Sequence, residues 1–362
     1  MIMTGLRGVG KTVLLNRFAE LAELAGWESI ELEASKHDET AFRQSIFSKF
    51  RAALLHISPR RRWSERARHA AEVLSSFVLS IDQSGTFSVT WDVDPSEGYG
   101  DHGDLGLDLT DVFLAVGEVA KEKGTGIVLL IDKVQFLTTV QLESLIQAVH
   151  KSVQKKLPIT FVGAGLPQIA ELAGDAKSYA ERLFKFPRID SLTPEEARQA
   201  LVGPAETENV SYDEDAVDLA VSLTHGYPYF IQELGYQAWI VASGNHITAE
   251  DISTAKDAYD AKLDGSFFRV RLDRATPLQT AYMRAMAELG SEPQKAADVA
   301  SLMKRESSQV APIRSQLIDM GLLYTPQHGY AAFTVPDFDK FMMRAVPRLE
   351  VPEIQHRRRR KK

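Results

Sequence analysis

The residue types with the clearest chemical use lie in one short stretch near the start of the chain. It reads Gly5-Leu6-Arg7-Gly8-Val9-Gly10-Lys11-Thr12 and matches the spacing G-x-x-x-x-G-K-[ST], directly before an amphipathic helical pattern. Glycines let backbone N–H groups curl around a phosphate, and the helix N-terminus adds the positive end of a dipole. A chance glycine-rich turn is the alternative interpretation. The predicted nucleotide-binding residues here are Gly5, Gly8, Val9, Gly10, Lys11, Thr12 and Val13.

The lysine and the threonine of this stretch have separate predicted tasks. Lys11 is expected to reach the β- and γ-phosphate oxygens, and the Thr12 hydroxyl to ligate Mg²⁺. A second metal ligand is predicted at the end of the apolar run Gly126-Ile127-Val128-Leu129-Leu130-Ile131-Asp132. Such a run is typical of a buried parallel strand whose carboxyl end meets a ligand. We therefore expect Asp132 to be the Mg²⁺ carboxylate, and a strand-end turn residue is the alternative.

The elements that must position these residues alternate between strand and helix patterns over the first 190 residues. This alternation is typical of a parallel sheet with crossover helices. We predict strands near 29–33, 126–131 and 159–163, and helices after Lys11, after Asp38 and over 138–155. Only four residues precede Gly5, so the strand that feeds the glycine loop is expected to be short or truncated. The first two helices should bury Val13, Leu14, Leu15, Phe18, Leu21 and Leu24, and Phe42, Ile46, Phe47 and Phe50.

Residues 59–110 interrupt this pattern and are predicted to be an insertion in a core domain that spans residues 1–190. An arginine-rich segment at 60–68 precedes a Gly/Asp-rich loop from Asp92 to Asp108. The loop does not fit an EF-hand calcium site, because its sixth position is Glu97 and its twelfth is Gly103. We therefore expect a solvated loop.

From residue 191 the pattern is helical. A helical lid is predicted over 191–263, a winged helix over 264–350 and a basic tail over 351–362. Capping patterns begin at Thr193 and Thr248, and three helices followed by two short strands have the order of a winged helix-turn-helix. The predicted fold class is an α/β P-loop NTPase core, a parallel sheet with crossover helices, followed by a helical lid and a C-terminal winged helix-turn-helix.

Composition excludes several classes of protein. The 362 residues contain no cysteine, which excludes disulfides, thiolate zinc sites and cysteine nucleophiles. The net charge is −7, although the last six residues are all basic. An acidic body is not expected to coat nucleic acid, so any DNA contact should be local. No apolar run spans a membrane and no export signal is present, so a cytoplasmic location is expected.

Shorter motifs follow the glycine loop and Asp132 along the chain. They are Gly163-Ala164-Gly165-Leu166-Pro167, Ala180-Glu181-Arg182-Leu183-Phe184 and Gly226-Tyr227-Pro228. With the terminal winged helix, the combination resembles the origin-recognition-complex-like AAA+ ATPases and the STAND class of signalling NTPases. The resemblance implies ATP with Mg²⁺ between core and lid, and Pro228 packed against the adenine. It also implies Arg182 as a finger for a neighbour's γ-phosphate, with a local ion pair as the alternative.

Two departures from the resemblance change the expected activity. Lys133 takes the place of the glutamate that polarises the attacking water, and a missing general base typically costs about 10² to 10⁴ in rate. A polar sensor is also missing at the end of the strand near Ala164, and Tyr229 lies where a sensor arginine would be sought. Lys133 could weaken metal binding, or it could contact the γ-phosphate.

Three functions are therefore compatible with the sequence. The first is an ATP-operated switch with slow or absent hydrolysis, in which Lys11 and Asp132 hold the nucleotide and Arg182 couples subunits. The second is an origin-recognition-like DNA-binding protein whose third winged-helix helix enters the major groove with Gln309 and Arg314. The third is a conventional AAA+ hydrolase, which Lys133 disfavours. A protein partner or a homo-oligomer is an alternative target of the winged helix.

Overall fold

The computed structural model of the chain describes residues 1–34, 39–79, 93–176 and 180–352. The chain divides into two compact units: residues 1–5 with 11–189, and residues 6–10 with 190–362. The predicted basic tail lies outside the described residues from 353 onward, as do residues 80–92 of the predicted insertion. No helix in the described part of the chain combines the length and the apolar composition that crossing a lipid bilayer requires.

A four-stranded parallel sheet forms the centre of the first unit. Its order is β1-β4-β3-β2, with β1 at Ile2–Thr4, β2 at Glu28–Glu33, β3 at Ile127–Asp132 and β4 at Ile159–Gly165. The interior strand β3 is almost entirely buried, as expected for a parallel strand covered on both faces. The first strand has three residues, and the segment 185–189 runs along its free edge through backbone hydrogen bonds of 2.7–2.9 Å.

Seven helices accompany the described part of this sheet, and the three that the sequence predicts are among them. Their bounds are α1 Lys11–Leu24, α2 Glu39–Ile57, α3 Glu65–Leu79, α4 Leu105–Lys123, α5 Thr139–Gln154, α6 Ile169–Ala176 and α7 Ala180–Leu183. The apolar face predicted for α2 is confirmed, because all four of its residues are buried.

The apolar face predicted for α1 is wrong for three residues. Val13, Leu21 and Leu24 are 67%, 46% and 81% exposed, whereas Leu15 and Ala19 are buried. The reason is the small size of the cluster that α1 covers, which contains only seven buried residues from α1 and the sheet. A single narrow stripe of α1 fills that space, so the outer leucines gain no burial.

The segment 59–110 contains more regular structure than the sequence predicts. A short 3₁₀ turn at Arg60–Arg62 leads into α3, and α4 begins inside the predicted loop. The Asp104 carboxylate accepts a hydrogen bond from Leu107 N at 2.9 Å and caps α4. Asp108 is completely buried, with its Oδ2 2.8 Å from Arg43 Nη1. The expectation of a solvated loop is therefore wrong at its end, because Asp104 starts a helix that turns Asp108 into the core.

From residue 190 onward, the second unit starts with four helices, α8 Pro194–Thr207, α9 Glu214–Thr224, α10 Pro228–Val241 and α11 Ala249–Lys262. Capping boxes form at Thr193 and Thr248, as predicted. A short parallel pair, β5 Ser211–Tyr212 and β6 His246–Ile247, was not predicted. After α11 the chain continues through a π-helical turn at Leu263–Phe268 into α12, Arg269–Leu272. Helical structure therefore crosses residues 263 and 264, and a domain boundary there stays a prediction.

The C-terminal region contains the three predicted helices and two predicted strands in the predicted order. These are α13 Pro277–Leu289, α14 Ala296–Leu302, α15 Ser307–Asp319, β8 Leu323–Tyr324 and β9 Tyr330–Phe333. Two elements were missed, the two-residue strand β7 Gln294–Lys295, which pairs with β9, and α16 Phe338–Ala345. β9 lies in the middle of the resulting antiparallel sheet.

Candidate functional site

The glycine-rich loop joins β1 to α1, which is the strand–loop–helix context that its chemistry requires. Gly8 and Gly10 have φ values of 86° and 89°, a conformation that favours glycine because it lacks a Cβ. Lys11 is the first residue of α1, and its Nζ donates to Gly5 O at 2.9 Å. Gly5 N in turn donates to Gly165 O of β4 at 3.2 Å. The loop is thus fixed to the sheet at its start and opens a helix at its end.

The structure brings Thr12 and Asp132 into direct contact. Thr12 Oγ1 donates to Asp132 Oδ2 at 2.6 Å, and Lys133 N donates to the other carboxylate oxygen at 2.7 Å. Hydroxyl and carboxylate oxygens are hard ligands, and Mg²⁺ usually takes one or two protein ligands and completes its shell with water and phosphate. The pair therefore fits Mg²⁺. Within the described ranges there is no group of three or more metal-ligating side chains.

Lys133 is paired with a carboxylate that sequence reasoning missed. Its Nζ donates to Glu33 at the end of β2, and the parallel register pairs Glu33 with Asp132. The Lys133 and Glu33 side chains are 47% and 66% exposed. The lysine therefore has a protein partner at the carboxyl edge of the sheet. The available signal was the acidic residue that ends the predicted strand at 29–33, but its significance depends on the strand register.

Three other predicted residues are placed as follows. Val9 in the glycine loop is buried, whereas Val13 in the first turn of α1 is mostly exposed. Arg182 is exposed in the short helix α7 of the first unit. The acidic side chains that the alternative interpretation offers it, on Glu171, Asp175 and Glu181, lie outside what the structure describes. The role of Arg182 accordingly stays a prediction.

Loop residues 6–10 pack within the second unit against the start of α10, where Pro228 is the first helical residue. Tyr229 N donates to Gly8 O at 3.2 Å. A Cβ on Gly8 would lie 3.0 Å from the Tyr227 hydroxyl and 3.2 Å from Tyr229 Cβ. The Tyr227 hydroxyl is buried without a hydrogen-bond partner among the described residues, and this burial raises the pKa of the phenol. Glycine is therefore required at position 8 by backbone conformation and by the tyrosines.

Positive charge is concentrated beside this part of the loop. Burial and the neighbouring Arg274 lower the pKa of Arg7, and burial and Arg7 lower the pKa of Arg271. The Arg271 guanidinium lies 4.0 Å from the centre of the Phe267 ring, which stacks on Tyr229 at 4.3 Å. None of the three arginines forms an ion pair with a carboxylate in the part of the chain that the structure describes. Such a local excess of positive charge favours an anionic ligand.

The two residues predicted to contact DNA are engaged within the C-terminal region. Gln309 Oε1 accepts from Glu306 N at 3.1 Å and completes a capping box at the start of α15. Arg314 Nη2 donates to Thr325 Oγ1 at 3.0 Å and to Tyr330 O at 2.8 Å. Sequence reasoning treated both side chains as available for a base edge. The structure instead gives them partners that hold the helix start and the β8–β9 hairpin.

Comparison with protein families finds a match for the part of the chain that carries the glycine loop and Asp132. A model described as an AAA domain matches residues 1–171. A second model, described as a domain of unknown function, DUF8462, matches residues 265–342 and so covers α13, α14, α15 and the small antiparallel sheet. No curated protein matches the sequence.

Several solved structures align with most of the chain at low sequence identity. The Walker-type ATPase PABY2304 of Pyrococcus abyssi is 16% identical with a TM-score of 0.57, over 94% of this chain and 90% of that one. Cdc6p from Pyrobaculum aerophilum is 15% identical with a TM-score of 0.43, over 96% and 88%. The RuvB Holliday junction branch migration motor of Thermotoga maritima is 14% identical with a TM-score of 0.44, over 97% and 87%. The first likeness shows the fold, and the predicted P-loop fold class is confirmed.

Proposed function

We propose that this chain is an ATP-operated switch that binds ATP with Mg²⁺ at the glycine loop of its AAA domain and hydrolyses it slowly. The observation that carries the proposal is the 2.6 Å contact between Thr12 Oγ1 and Asp132 Oδ2 beside the N-terminus of α1. When bound, Mg²⁺ supplies positive charge that neutralises the β- and γ-phosphate oxygens. Thr12 and Asp132 are the residues that would hold it.

The other binding residues supply backbone donors and positive charge. Lys11 Nζ already donates to a carbonyl oxygen, Gly5 O, and a phosphate oxygen is the same kind of acceptor with more charge. In this proposal the backbone amide groups of residues 8–12 surround the phosphates. The positive charges of Arg7, Arg271 and Arg274 attract the negatively charged phosphates electrostatically. Val13 and Pro228 are proposed to contact the adenosine.

Slow hydrolysis is proposed because the residue after Asp132 carries no base. A protonated lysine has no lone pair to accept a proton from water, and Lys133 contacts Glu33. Loss of a positioned general base corresponds to a rate loss of about 10² to 10⁴. A long-lived ATP state suits a switch, in which nucleotide shifts an equilibrium only by the difference in its affinity for the two states. In this proposal the C-terminal region acts as a winged helix whose binding to a partner depends on whether ATP is bound.

DNA binding by the C-terminal region stays a prediction. Arg314 holds the β8–β9 hairpin, so DNA binding lost in Arg314→Ala would not separate contact from folding. Gln309→Ala is the better variant, because loss of a capping interaction typically costs only about 1 kcal/mol. Duplex retention at physiological salt by the wild type, lost in a Gln309→Ala variant that is still folded at the temperature of the assay, would support DNA binding. We also propose a protein partner as the alternative target of the C-terminal region, and Arg182 as a residue that acts on the nucleotide of a neighbouring subunit.

The nucleotide site is tested by the rise in melting temperature with ATP and Mg²⁺. A ligand at a hundred times its Kd stabilises the folded state by about 2.7 kcal/mol. Lys11→Ala should abolish the rise, while Lys121→Ala, the same change on the exposed surface of α4, should keep it. Asp132→Asn should remove the dependence of the rise on Mg²⁺. An equal rise in the wild type and Lys11→Ala would show that the site is assigned wrongly.

A further inference from the structure

Arg7, inside the glycine loop, contacts the end of a helix that is remote in sequence. Its Nη2 donates to Met320 O at 3.4 Å, and its backbone N donates to Thr334 O at 3.2 Å. Both contacts lie within the second unit, to which residues 6–10 belong. The proposed phosphate ligands are the amides of residues 8–12 and the Lys11 side chain. The two contacts of Arg7 therefore have a role other than direct contact with phosphate.

The end of α15 shows why an arginine is suitable there. Gly321 has φ 66°, and the Gly321 and Leu322 amides donate back to carbonyls of the last turn at 2.8 and 3.0 Å. This is the Schellman arrangement, which still leaves later carbonyl oxygens without a helical partner. Gly321 O and Leu322 O accept from Thr334 Oγ1 at 2.8 and 3.2 Å. Met320 O is the acceptor that Arg7 reaches, and a cation at a helix C-terminus also interacts favourably with the dipole.

Gly321 makes the close approach of Arg7 possible. An ideal Cβ on Gly321 would lie 2.1 Å from Arg7 Nη2 and 3.1 Å from its Cζ. Any other residue at 321 would therefore displace the guanidinium group. Gly329, in the turn before β9, has a similar φ of 81° but nothing within 4 Å of its Cβ position. The two glycines thus share a backbone requirement and differ in their contact with Arg7.

We propose that Arg7 is a positioning residue that holds the glycine loop ready for nucleotide by anchoring it to the end of α15, and that bound nucleotide strengthens this anchor. The inference rests on the proposed nucleotide site. Gly8 and Gly10 make the loop flexible, so fixing residue 7 beforehand lowers the entropy that binding must remove.

The reciprocal effect follows from charge. Arg7 carries the same charge as Arg271 and Arg274; besides burial, Arg274 lowers the pKa of Arg7 and Arg7 lowers the pKa of Arg271, so the three like charges repel one another. A phosphate beside Gly8 offsets this repulsion, and coupling between two sites acts equally in both directions. Nucleotide should therefore make the end of α15 harder to open.

The first test measures the Kd of ADP and ATP by calorimetry in full-length variants. Arg7→Met and Gly321→Ala should each weaken both affinities by roughly three- to tenfold, the effect of losing one ordered side chain. Gly329→Ala should have the same Kd values as the wild type. The alanine must also adopt a left-handed backbone conformation, but among the described residues its Cβ has no atom within 4 Å beyond its chain neighbours and displaces no side chain. The double variant Arg7→Met/Gly321→Ala should be no weaker than either single variant. Arg7→Lys should retain most of the affinity, since a lysine can still donate to Met320 O.

The second test measures amide hydrogen exchange over residues 316–322 with and without ADP and Mg²⁺. Protection should increase with nucleotide in the wild type and Gly329→Ala, and should not change in Arg7→Met. Unchanged affinity in Arg7→Met, or an undiminished gain in protection, would overturn the inference while leaving the nucleotide site intact. Absence of nucleotide binding in the wild type would instead remove both proposals. If Gly321→Ala does not fold, Arg7→Met alone decides.

Discussion

Two cation–carboxylate pairs in the first unit place the same chemistry in opposite surroundings. Arg43 and Asp108 lie 2.8 Å apart with side chains 2% and 0% exposed. Lys133 and Glu33 are in contact with side chains 47% and 66% exposed. The first pair lies in the core beside Phe77, whose ring centre is 4.9 Å from the Arg43 guanidinium carbon. The second pair lies at the carboxyl edge of the sheet, next to Asp132.

The difference in burial between the two pairs determines which of them can be substituted without unfolding the protein. Removing one member of a buried pair leaves a charge in an apolar interior and costs about 3–5 kcal/mol, whereas an exposed pair contributes about 0–1 kcal/mol. Asp108 is further fixed by His102 N, which donates to its Oδ1 at 2.8 Å. The buried pair therefore serves the fold, and the exposed pair can be altered to examine function.

The largest effect is expected from breaking the buried pair. Arg43→Met should lower the free energy of unfolding by about 3–5 kcal/mol, because Asp108 loses its cation inside the core. Urea denaturation followed by circular dichroism measures the change. Lys133→Met, the same substitution in the exposed pair, is the matched control and should change stability by less than about 1 kcal/mol. Equal losses in the two variants would contradict the comparison.

The next effect concerns turnover. Exchanging the exposed pair, Lys133→Glu with Glu33→Lys, keeps the ion pair and places a carboxylate after Asp132. Phosphate release under saturating ATP and Mg²⁺ should rise at least tenfold, since a positioned general base contributes about 10² to 10⁴. If the wild type released phosphate as fast as the exchanged variant, the proposal of slow hydrolysis would be refuted.

A smaller effect is expected from Glu33→Gln, which removes the partner of Lys133 without changing its cation. Stability should fall by less than about 1 kcal/mol. The uncompensated lysine then repels a cation at Thr12 and Asp132, so a higher Mg²⁺ concentration should be needed for the ATP-induced rise in melting temperature. A Mg²⁺ titration of that rise measures the shift, and an unchanged midpoint would show that Lys133 and the metal site are independent.

The smallest effect comes from a third pair, His102 and Asp111, which is also partly exposed. A hydrogen bond to Asp111 raises the pKa of His102 from its ordinary value of 6.5. A raised pKa in the folded state stabilises the protein below 6.5, and this contribution is lost as pH rises through the folded value. The difference in melting temperature between the wild type and His102→Gln should therefore shrink as pH rises from about 6 to about 8. A difference independent of pH would show that the ion pair does not act on stability.

The sequence predicted those parts of the site that depend on local order. The glycine loop, the helix it opens and the aspartate that ends a buried strand follow from spacing within a few residues. The partner of Lys133 could not be predicted in this way, because Glu33 is 100 residues away and only the parallel register of β2 and β3 brings it near. Asp108 was missed for a related reason, since Arg43 is 65 residues away.

The C-terminal region shows the limit of reading exposed polar residues as contacts for a ligand. Gln309 and Arg314 have suitable chemistry and spacing for base edges, yet a capping box and a hairpin supply their partners. Whether a polar side chain is available depends on neighbours that helical periodicity does not reveal. The helices and strands of this region were nevertheless predicted in order, because their apolar periods and turn residues are local.

The attachment of Arg7 to Met320 spans 313 positions of the chain. During translation, residue 7 leaves the ribosome long before the segment that anchors it has been made, so a nascent chain carries its glycine loop without the anchor. If Arg7 acts as proposed, a chain that ends ahead of residue 334 lacks the Thr334 contact and should bind nucleotide more weakly than the finished polypeptide.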